Sequence, residues 1–152
     1  MTSDCRKHQR CVDDAIKRAQ LVCDENRSRF TTLRKRVLEL VWASHKPVKA
    51  YDLLSELQKE DQSAKPSTIY RTLDFLLELG LVHKIYRQNT YVGCVNPKEE
   101  RPCFFLVCKN CHNIEEKHDE EYYSLIKNIS KKHQFQLQES SFEIEGLCNN
   151  CI

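Results

Sequence analysis

The chain has 152 residues, of which 40% are hydrophobic and 30% are charged, and its formal net charge is +2. This length holds one ordinary domain or two small ones, and the composition is that of a globular protein. The N-terminal residues carry no apolar run, and no segment reaches the length of a membrane span. We therefore expect a cytoplasmic protein with no membrane partner, in which nine cysteines favour metal ligands or buried thiols over disulfides.

The charge is unevenly distributed along the chain. Residues 1–87 contain 17 lysines and arginines against 12 aspartates and glutamates, whereas residues 88–152 contain 7 against 10. A basic first half followed by a mildly acidic second half indicates that only the first half meets a polyanion such as nucleic acid.

Apolar residues recur at helical spacing in four segments of the first half. In the second segment, we expect Leu33, Val37, Leu40 and Val41 to be buried. The predicted helices span residues 12–25, Thr31 or Thr32 to about Ser44, about Ala50 to Lys59, and Lys65-Pro66-Ser67 to Leu79, with Gly80 as the final stop.

Two short β-like runs follow the helices, at Leu81–Tyr86 and Thr90–Cys94, and the three residues between them predict a hairpin. Three helices packed in the helix-turn-helix manner and followed by a hairpin describe a winged helix. We expect a winged-helix domain over residues 1–94, a hinge linker over residues 95–102, and a small α/β domain over residues 103–152. The predicted fold class is α+β.

The fourth predicted helix has two chemically different ends. Its buried stripe leaves hydroxyl groups, a tyrosine and an arginine on the first two turns, while Asp74 and Glu78 make the last turns acidic. Phosphates are attracted to the first end and repelled by the second, so this helix is suited to enter a nucleic-acid groove with its N-terminus first. An ordinary solvated amphipathic face is the alternative interpretation.

The second half predicts a strand at Cys103–Val107, a short strand at Ile114–Glu116, a helix from about Glu120 to His133 and a strand at Phe135–Ile144. The expected buried residues of that helix are Tyr123, Ile126 and Ile129.

Two Cys-x-x-Cys pairs lie in this second half, and they are the strongest chemical signal of the chain. Four thiolates that converge on one point satisfy a tetrahedral zinc ion, and the two-residue spacing lets each turn supply two sulfurs. The pairs, Cys108 with Cys111 and Cys148 with Cys151, therefore predict a structural zinc site. A thioredoxin-like redox pair is the competing interpretation.

Softer metal ligands cluster around the predicted domain boundary. His83 and Cys94 belong to the hairpin, Cys103 follows the linker, and Glu115 or Glu116 comes after the first cysteine pair, strand alternation allowing only one of them to face a site. One imidazole, two thiolates and one carboxylate suit a four-coordinate zinc. A metal held by both domains would fix their relative orientation and so couple metal binding to DNA binding.

At this point the sequence resembles the ferric uptake regulator superfamily and, within it, the zinc uptake regulators. The resemblance covers nearly the whole chain. It rests on both cysteine pairs and on the segments Arg29-Phe30-Thr31, Ala50-Tyr51-Asp52-Leu53-Leu54, Lys65-Pro66-Ser67-Thr68-Ile69-Tyr70-Arg71-Thr72-Leu73-Asp74-Phe75-Leu76 and Gly80-Leu81-Val82-His83-Lys84. It implies a homodimeric, metal-dependent repressor that binds pseudo-palindromic operator DNA, controls zinc uptake genes and dimerises through its C-terminal α/β domain.

The resemblance also implies roles for individual residues and two zinc ions per chain. Four cysteines would hold structural zinc, and His83, Cys94 and Glu116 would belong to a regulatory site. The family usually has histidines before the first cysteine pair, whereas this chain has none from Glu99 to Phe105, so we assign Cys103 as the fourth regulatory ligand. The expected DNA contacts are Tyr51, Lys65, Ser67, Thr68, Tyr70 and Arg71.

Two other functions remain open at this point. One is a repressor of the same superfamily that responds to iron or another metal. The other is a cysteine-based redox sensor that works without bound metal. The chain shows no Ser-His-Asp, paired-carboxylate or glycine-rich phosphate motif, so we expect neither an enzyme nor a small-molecule substrate.

The remaining cysteines and histidines have simpler interpretations. Cys5, His8 and Cys11 are spaced to gather a metal but lie at a terminus that is expected to fray. The others are expected in the core, at helix ends or on the surface, and they are Cys23, His45, His112, His118 and His133.

Overall fold

The computed structural model describes residues 8–44, 46–97, 103–137 and 142–152. Its contacts divide the chain into two compact units, one within residues 2–98 and one within residues 99–152. Cys5, the side chain of His8, His45 and the charged run Lys98–Arg101 lie outside the described residues. Within the described part, no helix combines the length and apolar character that a bilayer crossing needs.

Four helices and a hairpin form the N-terminal unit. They are α1 (His8–Glu25), α2 (Thr32–Trp42), α3 (Ala50–Glu60), α4 (Pro66–Glu78), β1 (Val82–Ile85) and β2 (Thr90–Gly93). The helix ends follow local chemistry. The Thr31 side chain accepts a hydrogen bond from the Arg34 amide at the start of α2, Pro66 occupies the first turn of α4, and Gly80 adopts φ +65° after its end. The four predicted helices are thus present, with α1 beginning four residues earlier than expected.

The buried face of α2 is shifted relative to the prediction. Leu33 is 37% exposed and Leu40 is only half-buried, whereas Leu38 is 1% exposed. Val37, Leu38, Val41 and Trp42 form the buried stripe, which begins after the first turn where Leu33 lies. Periodicity identified the helix but left open which edge of its apolar face the neighbouring elements cover.

The hairpin is antiparallel, with His83 opposite Val92 and Lys84 opposite Tyr91. Val48, from the segment before α3, forms an isolated antiparallel β-bridge with the hairpin. It exchanges two backbone hydrogen bonds with Tyr91, of 3.0 and 2.8 Å. Gly93 lies directly against the indole of Trp42, where an added Cβ would overlap the ring. This close approach packs the hairpin onto α2.

The C-terminal unit is a three-stranded sheet with one helix. Its elements are β3 (Phe104–Cys108), β4 (Ile114–Lys117), α5 (Glu120–Lys132) and β5 (Phe142–Gly146), and the strand order is β4-β3-β5. β3 pairs antiparallel with β4 and parallel with β5. The parallel pairing requires a crossover, and α5 lies in the segment that makes it.

Two predictions for this unit are wrong. The last strand begins at Phe142 within the described residues and not at Phe135, because the residues after α5 close its end: Gln134 adopts φ +52° and the Phe135 amide donates to the Ser130 carbonyl. Ile129 is 47% exposed, and Tyr123 and Ile126 are half-buried. The apolar face of α5 is therefore only partly covered by its own chain.

Candidate metal centres and nucleic-acid interface

The four cysteines of the two Cys-x-x-Cys pairs converge in the C-terminal unit. Their sulfur atoms all lie within 4.8 Å of one another, and the sulfurs of Cys111 and Cys148 are 3.6 Å apart. Four sulfurs at about 2.3 Å from a tetrahedral zinc are separated by about 3.8 Å. The donor set and its spacing therefore fit a zinc ion with four thiolate ligands.

The parallel pairing of β3 with β5 explains why the two pairs meet. Cys108, the last residue of β3, is in register with Gly146, the last residue of β5, so both strands deliver their cysteines to the same edge of the sheet. The Lys109 amide donates to the Gly146 carbonyl at 2.9 Å and the Cys148 amide points at the Cys108 sulfur at 3.4 Å.

The turns after the strands complete the cluster. The His112 amide donates to the Cys108 carbonyl at 3.0 Å, and the exposed His112 adopts φ +58° within the first turn. The Cys151 amide donates to the Cys148 carbonyl at 2.8 Å and closes the second turn.

The pKa values of Cys108 and Cys151 are shifted in opposite directions by their neighbours. Backbone amides of Cys111 and Cys148 donate to the Cys108 sulfur and lower its pKa to about 6. A hydrogen bond shared with the Cys148 thiol raises the pKa of Cys151 to about 12. Backbone amides therefore favour the thiolate form at Cys108, and a bound metal ion would favour it at the remaining sulfurs.

In the N-terminal unit, the hairpin places His83 and Cys94 on one face. His83 faces Val92 across the hairpin, and Cys94 follows Val92 by two residues, which is the period of a strand. The Cys94 amide donates to the Leu81 carbonyl at 3.0 Å and extends the pairing by one step. Cys94 is 6% exposed, and His83 is half-buried.

In the C-terminal unit, strand register selects between the two glutamates. Glu116 is paired with Phe105 and therefore shares its face with Cys103, whereas Glu115 is paired with Leu106 on the opposite face. The Glu115 carboxylate forms an ion pair with Lys117, with 2.8 Å between Oε2 and Nζ. The choice of Glu116 as the glutamate on the Cys103 face thus agrees with the register.

His118 contacts Glu116, a contact that its sequence position alone does not predict. It was assigned to a helix end or the surface, but its Nε2 lies 3.1 Å from Glu116 Oε1 and its side chain is only 23% exposed. A two-residue spacing from Glu116 was the available signal, since it places both side chains on one face of β4 and the residue that follows it.

The other two assignments to simple roles hold where they are described. Cys23 is fully buried between the helices of the N-terminal unit, and burial raises the pKa of its thiol. His133 follows α5 as its C-terminal cap. Cys11 is a half-buried residue of α1.

The N-terminal ends of α3 and α4 expose most of the side chains that are predicted to contact DNA. Tyr51 is 71% exposed and Tyr70 is 46% exposed. Lys65, Ser67 and Arg71 are also exposed, whereas Thr68 is half-buried and its carbonyl accepts a hydrogen bond from the Thr72 hydroxyl at 2.8 Å. Asp74 and Glu78 are exposed at the far end of α4, so the predicted charge polarity of this helix is present.

Tyr91 of β2 lies near charged and phenolic groups of α4 and of the hairpin turn. Burial raises the pKa of Tyr91, and the neighbouring Tyr70, Asp74 and Tyr86 raise it further. Tyr86 is 70% exposed beside the turn, and the Lys84 ammonium lies 5.5 Å from its ring. The exposed start of α4 and the hairpin thus lie close together within one unit.

The N-terminal unit and the cysteine cluster together define a winged-helix protein with a zinc-type thiolate site. Its sequence matches the ferric uptake regulator family over residues 25–145. The chain belongs to this family.

Within this family, the chain is similar to proteins that are named as zinc uptake regulators. The chain is 33% identical to the zinc uptake regulation protein of Escherichia coli strain K12 over 93% of this chain and 83% of that protein. It is similar to the solved structure of a zinc uptake regulator complexed with zinc and DNA, with a TM-score of 0.85, 32% identity, and coverage of 91% and 93% of the two chains. A crystal structure of holo XcZur gives a TM-score of 0.80 and 35% identity over 89% of this chain and 94% of that one.

Proposed function

We propose that this chain is a zinc-responsive transcriptional repressor that binds operator DNA as a homodimer and controls zinc uptake genes. The observation that carries the proposal is its similarity, over nine-tenths of its length, to a zinc uptake regulator solved with zinc and DNA. As a regulator of this family it is not an enzyme, and its place of action is the cytoplasm, where the operator DNA lies.

Two zinc ions per chain have different tasks in this proposal. The first is held by Cys108, Cys111, Cys148 and Cys151 and stabilises the small C-terminal unit. The second is held by His83, Cys94, Cys103 and Glu116 and regulates DNA binding. An imidazole, two thiolates and a carboxylate form a zinc-type donor set, and the two thiolates disfavour manganese and magnesium.

Regulation follows from the placement of the second donor set in the chain. His83 and Cys94 belong to one compact unit, and Cys103 and Glu116 belong to the other. A metal bound by all four residues restricts the motion of one unit relative to the other. Zinc then favours the arrangement in which two copies present their α4 helices to successive turns of the operator.

Arg71 is the residue that we propose reads a base edge, with guanine as its preferred partner, because its side chain is exposed on the second turn of α4. Tyr70 contacts a phosphate or a thymine methyl group. Tyr51, Lys65, Ser67 and Thr68 position the protein on the DNA backbone.

The homodimer is supported by the C-terminal unit. Leu125, Ile129, Ile144 and Leu147 are between 43% and 56% exposed there. Apolar side chains that remain this exposed in one chain are suited to pack against a second copy.

A titration against buffered metal ions tests the function. The zinc-loaded protein first selects an operator from a random DNA pool, and affinity for that operator is then measured against free zinc, iron and manganese. We expect zinc to promote binding at the lowest free concentration, and Cys103→Ser to require more zinc than the parent protein. Promotion by iron at a lower concentration than zinc would instead support an iron-responsive repressor.

A redox sensor is the second candidate, and native mass spectrometry separates it from the repressor. Two zinc ions per chain with reduced thiols support the proposed regulator. A metal-free chain that binds DNA with a disulfide in a Cys-x-x-Cys pair would favour the sensor.

A further inference from the structure

We propose that His118 is a positioning residue for the regulatory zinc: it fixes the Glu116 carboxylate by a hydrogen bond and so sets the zinc affinity of the site. This inference rests on the proposed function, because it deepens the assignment of Glu116 as a ligand. His118 does not replace the histidine that the family usually has before the first cysteine pair, because His118 lies on another segment, directly after β4.

Strand geometry places the three residues together. The β3–β4 register pairs Phe104 with Lys117 and Phe105 with Glu116. One residue further along the same antiparallel register, Cys103 lies across from His118. Cys103, Glu116 and His118 therefore share one face at the end of the β3–β4 ladder.

The burial of Glu116 increases the importance of its hydrogen bond with His118. The Glu116 side chain is 4% exposed, Cys103 is 6% exposed, and Phe105 between them is fully buried. A carboxylate in such surroundings loses most of its hydration and needs compensating contacts from its neighbours. The His118 ring supplies one at 3.1 Å.

The hydrogen bond has a defined direction. An ionised carboxylate only accepts, so His118 Nε2 carries the proton and donates it to Glu116 Oε1. In the proposed site the same carboxylate also binds the metal ion. Ligating carboxylates that are held in this way have a fixed orientation, and loss of the supporting residue costs metal affinity.

Glu115, on the opposite face of β4, has a different kind of partner from Glu116. Glu115 interacts with Lys117, and these two side chains are 36% and 45% exposed. An ammonium group there holds a solvated carboxylate as an ordinary surface ion pair. The Glu116–His118 pair uses the N–H of a half-buried imidazole ring at a buried carboxylate instead.

The test compares His118→Ala, His118→Gln and His133→Ala in the full chain with its structural zinc in place. Glutamine keeps an N–H donor that reaches Glu116, and His133 is a matched control because it is an exposed histidine at the end of α5. The measurement is the zinc dissociation constant of the second site by competition with a chromophoric chelator. We expect about a 10- to 100-fold weaker affinity for His118→Ala, recovery of most of that loss in His118→Gln, and no change for His133→Ala.

Cobalt provides a readout that is independent of DNA binding. With Co²⁺ in the second site, His118→Ala should change the visible d–d absorption, because the carboxylate is no longer held in one orientation, whereas the His133→Ala spectrum should match the parent spectrum. Loss of stability alone would leave the spectrum of the loaded site unchanged.

Three outcomes overturn parts of the proposal separately. If Glu116→Ala loses the second zinc while His118→Ala keeps parental affinity, the positioning role is wrong and the proposed function stands. If His118→Ala and His118→Gln lose affinity equally, the imidazole itself is a ligand and the positioning role is again wrong. If the parent protein binds only one zinc, the regulatory site fails together with this inference.

Discussion

The two compact units of this chain use different means to close their cores. The N-terminal unit buries a continuous set of aliphatic side chains from four helices and a hairpin. In the C-terminal unit, the buried described residues are Cys103, Phe105, Val107, Cys108, Ile114 and Ser130. A unit of about fifty residues with so small an apolar core requires another source of stability, and a metal ion bound by its four converging cysteines would supply it.

The comparison also separates the tasks of the units. The N-terminal unit exposes tyrosine, arginine and lysine side chains at the N-terminal ends of α3 and α4, whereas the C-terminal unit exposes leucine and isoleucine side chains. The first surface suits a phosphate backbone and base edges, and the second suits another copy of the chain. The following predictions test this division, from the largest expected effect to the smallest.

Removal of the structural zinc should unfold the C-terminal unit and leave the N-terminal unit folded. Structural zinc contributes roughly 10–16 kcal/mol of apparent binding free energy, which exceeds what the small core provides. Hydrogen exchange measured after chelation, or in Cys148→Ser, should show lost protection in residues 103–152 and retained protection in residues 8–97. Cys11→Ser is the control, since Cys11 belongs to α1 and lies outside the cluster. Equal protection in both units after chelation would show that the metal is not what holds the second one.

Gly93→Ala should destabilise the N-terminal unit by about 1–3 kcal/mol, because the added methyl group overlaps the buried ring of Trp42. Gly146→Ala is the matched control, since a Cβ at Gly146 of β5 meets nothing within 4 Å. Urea unfolding monitored by tryptophan fluorescence reports on the correct unit, as Trp42 is the sole tryptophan of the chain. Equal stability of the two variants would contradict the close packing of the hairpin on α2.

Arg71→Ala should weaken operator binding by about 1–3 kcal/mol and relax the preference at one base position. Lys65→Ala should instead weaken binding to all sequences alike and reduce its salt dependence. Arg10→Ala, which removes an exposed arginine from α1, serves as the control for loss of charge. Gel-shift titrations against the operator and its single-base variants measure all three. Unchanged discrimination in Arg71→Ala would remove this residue from base reading.

Alkaline pH should have a small effect on the C-terminal unit. Burial raises the pKa of Tyr122, whose ring packs 4.6 Å from Phe104 and 5.8 Å from Phe142 between centroids. Above pH 10 the unfolded chain then loses this proton more readily than the folded chain, so stability falls as the pH rises from 10 towards the folded pKa. Tyr122→Phe should reduce that fall and leave stability at pH 7 nearly unchanged. Thermal melts of the zinc-loaded protein at pH 7 and pH 10.5 provide the comparison.

Much of the fold was predictable because its signals are local. Thr31 caps α2, Pro66 starts α4 and Gly80 ends it, and each acts through hydrogen bonds or backbone angles of its immediate neighbours. The predictions failed where a neighbour in space decides the result. Leu33 and Ile129 fit their helical stripes, yet both remain exposed because no other element of the described chain covers them.

The candidate sites likewise contain one part that local spacing predicts and another that depends on neighbours in space. Cys-x-x-Cys spacing alone predicted that the four cysteines form one cluster, since two residues are enough for one turn to present both sulfurs. The two-residue spacing of Glu116 and His118 was enough to place them on one face of β4, but only strand pairing shows that this face also carries Cys103.

The sequence by itself determined the order of the elements, the grouping of the four cysteines and the polarity of α4, because all of these depend on spacing along the chain. The tertiary structure decided that β3 and β5 run parallel and in register, which carries Cys108 and Cys148 to one edge of the sheet. It also decided which glutamate faces Cys103. Strand direction and register depend on contacts between residues some forty positions apart, and no local pattern encodes them.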